Sequence, residues 1–147
     1  MVIWITGISA SGKSTLGKYF FKKFKKTKKN TVFFDGDEFR KIFHDDIKYT
    51  LRDRDVNAIR LTSLVKYVSD QKINLIISAN ITSQRFRNWC KKNIQNYFEI
   101  FIDTPIEVLR KRDYKKLYKN AFSGKIKNVV GVDIKFIKPK KPDLIID

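Results

Sequence analysis

The stretch Val2-Ile3-Trp4-Ile5-Thr6-Gly7-Ile8-Ser9-Ala10-Ser11-Gly12-Lys13-Ser14-Thr15 decides the fold. Its first five residues are an apolar, β-prone run that reads as a buried strand over Val2–Thr6. The next eight, Gly7 to Ser14, fit G-x-x-x-x-G-K-[ST], with a helical pattern behind them. Each part has a physical reason. The glycines let the backbone curl until several N–H groups face one anion. The helix that follows adds the positive end of its dipole. Lys13 is placed to reach β- and γ-phosphates, and Ser14 offers a hydroxyl to Mg²⁺. Gly7, Ser9, Ala10, Ser11, Gly12, Lys13, Ser14 and Thr15 are therefore the expected triphosphate cradle. The motif alone predicts ATP or GTP binding and leaves the reaction open.

Outward from this loop, short apolar runs alternate with helical segments. Helices are expected over Ser14–Phe24, Glu38–Phe43, Asp53–Gln71, Ser83–Asn96 and Pro105–Arg112. Strands are expected over Thr31–Phe34, Ile73–Ser78, Phe98–Ile102 and Leu144–Ile146. Strands of this length separated by helices predict a parallel α/β sheet. The expected architecture is a three-layer P-loop fold over residues 1–147 as one domain. The polar, Lys-rich stretch Asp113–Asn128 reads as mobile, a lid of about 113–130. No internal repeat or linker interrupts the chain.

Asp35-Gly36-Asp37 ends the second strand. In doubly wound sheets ligands sit over the carboxyl ends of the strands. Two acids placed there can hold Mg²⁺ and orient an attacking hydroxyl. An ordinary Asp-Gly turn is the plainer alternative. Arg40 follows one helical turn on. Arg52-Asp53-Arg54-Asp55 reads equally as a set of phosphate-binding forks or as a surface ladder of ion pairs.

The 147 residues carry a formal charge of +17, from 24 Lys and 8 Arg against 15 acids. The lysines are spread along the chain, and the densest cluster, Lys22–Lys29, fits a solvated helix end. There is neither a basic helix patterned for a groove nor a stacking sheet of the RNA-binding kind, so nucleic acid is an unlikely partner. No apolar run reaches the ~18 residues of a membrane span. With one cysteine, Cys90, and no secretion signal in the first residues, a cytoplasmic location is expected. His44 reads as a surface residue, Trp4 and Trp89 as packing residues, and Cys90 as an inert thiol.

Five elements in order make the chain similar to the adenylylsulfate kinase family. The opening Val2–Thr15 resembles that family's own. Asp35-Gly36-Asp37-Glu38-Phe39-Arg40 resembles Asp-Gly-Asp-x-x-Arg. Tyr49–Arg60 resembles aromatic–Ser–x–x–Asp–Arg–x–x–Asn–x–x–Arg. Arg112-Asp113-Tyr114-Lys115-Lys116-Leu117-Tyr118 resembles the lid Arg-Asp-x-Lys-Gly-Leu-Tyr. Gly131-Val132, Lys138-Pro139 and Pro142-Asp143-Leu144 fall in its closing pattern. The resemblance implies transfer of the γ-phosphoryl of ATP, with Mg²⁺, to the ribose 3′-hydroxyl of adenylyl sulfate, a step of sulfate assimilation. It also implies that Asp37 faces that hydroxyl, with Asp35 and Ser14 near Mg²⁺ and Lys13 and Lys115 on the phosphates. Arg40, Arg54 and Asn57 would hold the acceptor's anionic groups, and Tyr49 would stack on its base. Members are commonly homodimers.

Departures bear on the acceptor. Asn80-Ile81-Thr82-Ser83 stands where many members have Phe-Ile-Ser-Pro, which puts Ile81 and Thr82 at the acceptor pocket. Lys116 replaces the lid glycine. Val129 stands where a phenylalanine forms the second face of the clamp on adenine. Loss of one stacking face weakens purine binding by ~1–3 kcal/mol. A smaller pyrimidine needs less of a clamp. The alternative acceptor is therefore cytidine diphosphoramidate, used by a relative of the family in capsule biosynthesis.

Overall fold

Val2 and Trp4 of the first strand, β1 (Val2–Thr6), pack in one apolar cluster, and Ile3 and Ile5 pack in another. This is the period-2 alternation of a strand covered on both faces. The computed structural model describes every residue except Asp45 and Tyr114. In chain order, α1 (Lys13–Thr27), β2 (Thr31–Asp35), α2 (Gly36–Ile42), α3 (Leu51–Asp70) and β3 (Asn74–Ser78) follow β1. Then come α4 (Gln84–Asn93), β4 (Tyr97–Ile102), α5 (Ile106–Lys111), α6 (Leu117–Phe122) and β5 (Leu144–Ile146).

The strands pair in parallel in the order β2-β3-β1-β4-β5. From β1 the chain turns to one side for β2 and β3, then crosses to the other for β4 and β5. That reversal makes the carboxyl end of β1 a topological switch point, the place where such sheets bind ligands. Leu16, Phe20, Phe21 and Phe24 of α1 cover Ile3, Ile5, Ile76, Ile100 and Ile102 on one face. Ala58, Leu61 and Val65 of α3 and Phe86 and Cys90 of α4 cover Val2, Trp4, Leu75 and Ile77 on the other. The Trp4 indole N–H donates to the Ala79 carbonyl at 2.9 Å, so the largest core side chain leaves no polar atom stranded. A third cluster gathers Ile8, Leu109, Tyr118, Ala121, Val129, Val130 and Ile134 beside the glycine-rich loop.

Several boundaries differ from the sequence expectation, each for a local reason. Helix α1 continues to Thr27, with Lys25 and Lys26 in its last turn, where cations favour the dipole. Helix α3 starts at Leu51 because Thr50 and Asp53 form a reciprocal capping box two residues before the expected start. Helix α4 stops at Asn93: Ile94 is drawn into the core and Asn96 takes φ 54°. The stretch expected to be mobile holds helix α6, anchored by buried Tyr118 and Ala121. Its composition is polar, but two apolar positions in one helix suffice to dock it. Trp89, read as a packing residue, is 39% exposed on α4. Among the described residues no helix is long and apolar enough to cross a membrane.

Candidate active site

A close approach fixes the glycine-rich loop against the sheet. A Cβ on Gly17, one turn into α1, would lie 2.2 Å from Ser78 Oγ and 2.6 Å from Phe33. Only glycine lets the helix sit that low. The Ser78 hydroxyl then donates to the Lys13 carbonyl at 2.9 Å, tying the first turn of α1 to the end of β3. At Gly7 a Cβ would meet Ser11 Oγ at 2.7 Å and the Ile102 carbonyl at 2.8 Å, so the loop also presses on the end of β4. Ala10 (φ 62°) and Gly12 (φ 92°) turn the backbone into the left-handed region. Such turns make the N–H concavity that binds anions.

Lys13 folds over this loop, its ammonium donating to the Ile8 carbonyl at 2.8 Å. Burial pushes its pKa down to about 8, against the opposing pull of the Asp37 and Asp35 carboxylates. A bound phosphate would favour the charged form of this desolvated cation. Ser14 and Thr15 follow in the first turn of α1, Thr15 exposed and Ser9 exposed at the loop crest. Ser11 is buried.

β2 delivers the acids. Asp35 is in register with Ser78 of β3 and caps α2. Its Oδ1 accepts the Asp37 N–H at 3.0 Å, and its Oδ2 accepts the Ser14 hydroxyl. One carboxylate thus joins the phosphate loop to the helix that carries Asp37. Asp37 itself is exposed in the first turn of α2. Among the described residues no three His, Cys, Asp or Glu side chains gather as a metal cage. A Mg²⁺ ion fits such a site, since it takes one or two protein oxygens and fills the rest with phosphates and water. Ser14 and Asp35 are the oxygens placed for it.

One turn along α2 from Asp37 begins a stacked set of cations. The Arg40 guanidinium carbon sits 4.8 Å from the Tyr49 ring centroid, and that of Arg54 sits 5.6 Å from it. Arg40 is 8% exposed and donates to the Lys48 carbonyl at 3.0 Å. Arg54 donates to the Tyr49 carbonyl at 3.0 Å and to the Asn128 carbonyl at 2.8 Å. Burial and the neighbouring Arg40 both lower the pKa of Arg54 from its ordinary value. Two desolvated like charges beside one half-exposed ring favour an anionic, ring-bearing ligand. Asn57, one turn further along α3, has a buried Oδ1 with no protein donor. Of the charge ladder Arg52–Asp55, Asp53 caps its own helix, Asp55 pairs with Arg85 at 3.0 Å, and Arg54 alone turns to the site.

Several expected residues are buried or lie on the segment before α6. Val129 is 5% exposed and packs in the cluster with Ile8 and Tyr118. An apolar branched side chain is more stable inside that cluster than at a wet pocket wall. Ile81 (2% exposed) is a core residue between β3 and α4, with Thr82 buried beside it. Lys115 is exposed on the segment leading into α6, and Tyr114 of the same motif lies outside the described residues. His44 is exposed beyond α2. Cys90 is fully buried, and burial pushes its thiol up to about 12.

Three contributors escaped the sequence reading. Tyr118 is fully buried, and its hydroxyl donates to the Ser9 carbonyl at 2.8 Å, joining α6 to the phosphate loop. Asp113 accepts the N–H groups of Leu117 at 2.8 Å and Lys119 at 2.9 Å, which starts α6. Ser78 is described above. Asp113 and Tyr118 lie in the quoted lid motif, but spacing alone assigns them no partner. Beside the first turn of α1 opens a cleft of about 650 Å³, lined by Gly12, Thr15, Tyr19, Pro105, Val108 and Arg112 among others. Its size and apolar walls suit a nucleotide base.

Comparisons with known proteins agree with this geometry. The family model for adenylylsulphate kinase matches residues 1–147. A cytidine diphosphoramidate kinase of Campylobacter jejuni is 36% identical over 146 residues, covering 99% of this chain and 85% of the relative. An adenylyl-sulfate kinase of Clostridium acetobutylicum is 36% identical over 147 residues, covering 99% and 74%. The APS kinase CysC of Mycobacterium tuberculosis, solved with AMPPNP and APS, superposes with a TM-score of 0.88 at 30% identity, covering 99% of this chain and 86% of that one. Fold, phosphate loop and acid pair together with these matches establish that the chain belongs to the adenylylsulfate kinase family of phosphotransferases.

Proposed function

We propose that the protein transfers the γ-phosphoryl group of ATP to the ribose 3′-hydroxyl of adenylyl sulfate. The observation that carries this reading is the Ser14–Asp35–Asp37 chain, which sets a second acid beside the phosphate loop, with the Arg40–Tyr49–Arg54 stack near it. ATP places its phosphates on Gly7–Thr15 and its base in the cleft beside α1. Mg²⁺ on Ser14 and Asp35 would neutralise charge on the phosphate oxygens. Asp37 orients the 3′-hydroxyl in line with the γ-phosphorus and accepts its proton. Lys13 and Lys115 stabilise the transferring group, and Arg40, Arg54 and Asn57 hold the acceptor with its base on Tyr49. Phosphoryl transfer asks for little beyond such positioning and charge. The α6 segment shields the phosphates from water. A homodimer is proposed through exposed apolar residues of α3, among them Ile59 and Tyr67, each at least half exposed. The buried, inert thiol fits a reducing cytoplasm.

A second reading has its own support. Val129 supplies no second stacking face, and Asn80 stands at the end of β3 with a buried Oδ1 that meets no protein donor. An amine on the acceptor would satisfy that oxygen. Cytidine diphosphoramidate carries an amine on its terminal phosphorus that adenylyl sulfate lacks, while a base amine is common to both.

Coupled ADP release decides between the two, with each nucleotide supplied at equal concentration. Faster turnover of adenylyl sulfate supports the first reading, and faster turnover of the cytidine compound supports the second. Turnover of neither rejects both. Asp37→Ala is expected to abolish transfer while ATP still binds, and near-normal turnover in that variant removes Asp37 from the chemistry.

A further inference from the structure

The carbonyl that holds Arg54 belongs to a peptide unit whose opposite edge is also held. Arg54 Nη2 donates to the Asn128 carbonyl at 2.8 Å. The N–H of that same peptide unit, on Val129, donates to Asp133 Oδ1 at 2.6 Å, and the Asn128 N–H donates to Asp133 Oδ2 at 2.5 Å. In a trans peptide the N–H and C=O point in opposite directions. By drawing the Val129 N–H toward itself, the Asp133 carboxylate turns the Asn128 carbonyl toward Arg54.

The surroundings leave the unit little freedom to rotate. Asn128 is in the left-handed region at φ 65°. Val129 and Val130 are buried, and Ile134 N–H returns to the Val129 carbonyl at 3.1 Å. Asp133 is exposed and makes no ion pair within 4.0 Å among the described residues, and its bonds there are to this turn. Those two N–H groups hold its carboxyl below the ordinary carboxylate range, and the charge of Arg54 adds to the effect. The Arg54 bonds to Asn128 and Tyr49 use two of the five N–H groups of a guanidinium. The other three define a fork whose direction is set by the two that are engaged.

We propose that Asp133 is a positioning residue for acceptor binding, acting through the 128–129 peptide unit to aim the Arg54 fork at the acceptor's anionic group. This rests on the reading of Arg54 as an acceptor-binding residue. Val129 then matters through its backbone N–H, and its side chain serves to fix the turn.

The test compares Asp133→Asn with the parent, alone and in an Arg54→Lys background. An amide keeps one oxygen acceptor but turns a donor on the second N–H. Asp133→Asn should raise the acceptor KM by about tenfold and leave the ATP KM within about twofold. In the Arg54→Lys background the same change should move the acceptor KM by less than about twofold, because the fork it aims is gone. Asp133→Glu, which keeps both oxygens, should restore most of the loss. An unchanged acceptor KM, equal rises in both KM values, or effects that add in the double variant would overturn the proposal. The side-chain Nε–H resonance of Arg54, identified by its loss in Arg54→Lys, gives a readout that needs no acceptor. It should broaden and exchange faster in Asp133→Asn, and an unaltered resonance overturns the positioning role. If the parent turns over neither nucleotide, the functional reading fails while this resonance still decides the tie.

Discussion

The hydroxyl of Tyr118 donates a hydrogen bond to the Ser9 carbonyl at 2.8 Å, across 109 positions of sequence. It is the direct polar link between α6 and the crest of the phosphate loop. Burial pushes this phenol up to about 12, so it stays a donor across the working pH range. Tyr118→Phe keeps the ring in its cluster and removes the link alone. It should raise the ATP KM roughly threefold to tenfold and cost about 1 kcal/mol of stability. Steady-state kinetics and urea unfolding check this, and an unchanged ATP KM would show that α6 does not shape the loop.

Lys116 takes φ 54° and ψ 23° just before α6. That conformation strains any residue with a Cβ, while glycine pays chain entropy for its freedom. The family resemblance puts a glycine there. Lys116→Gly should stabilise the fold by about 0.5–1 kcal/mol, read as a higher urea midpoint with unchanged slope. A lower midpoint would mean that the lysine side chain contributes more than its backbone costs.

Lys13 sits near pKa 8 because burial outweighs the pull of Asp37 and Asp35. Bound phosphates favour its charged form and raise that value. At about pH 8.5 much of Lys13 in the empty enzyme is deprotonated, so ATP binding must take up protons. Uptake should fall away as pH drops below about 7, where the free enzyme already carries the charge. Calorimetry in buffers of differing ionisation enthalpy measures it. Lys13→Arg, protonated throughout, should show none, and parent enzyme without uptake at the higher pH would refute the assignment.

Arg87 and Glu99 form an ion pair at 3.3 Å with side chains 0% and 1% exposed. Arg87 also donates to the Ile137 carbonyl at 3.0 Å and to the Ile81 carbonyl, stitching the turn after β3 to the chain's closing segment. Removing one partner strands the other charge. Glu99→Ala should therefore destabilise by about 3–5 kcal/mol. Replacing both by apolar residues should recover part of this, limited by the two carbonyls that Arg87 leaves behind. Urea unfolding of the three variants tests it. A loss below about 1 kcal/mol in Glu99→Ala would mean that water replaces the pair.

The donor half of the site was legible because its chemistry is contiguous. Gly7 to Ser14 form one run after one strand, and Asp35–Asp37 end another, so strand polarity alone brings them together. In the acceptor half, Arg40, Tyr49, Arg54 and Asn57 could be named from the family resemblance, but what holds them could not. Arg54 stands out as a charge, but its bond to the Asn128 carbonyl lies 74 positions away and no side-chain pattern encodes a carbonyl. The packing of Val129 was hidden for a related reason: its burial is decided by Ile8, Leu109 and Tyr118, which meet only after the sheet forms. Tyr118 was quoted as the last residue of the lid motif, with no partner for its hydroxyl.

The contact at Gly17 sets a clearance of atomic dimensions beneath the phosphate loop. Nothing larger than hydrogen fits between α1 and Ser78. Drift at that position would lift the whole donor side off the sheet, so the donor side has almost no room to diversify. Tyr49 and Asn80 sit on separate connections outside that clamp, and each is free to vary without disturbing it, whereas the 128–133 turn packs on Ile8 of the phosphate loop. A scaffold built this way holds its phosphoryl donor constant while its acceptor changes. Relatives of equal similarity that carry two different acceptor names are the outcome such an arrangement permits.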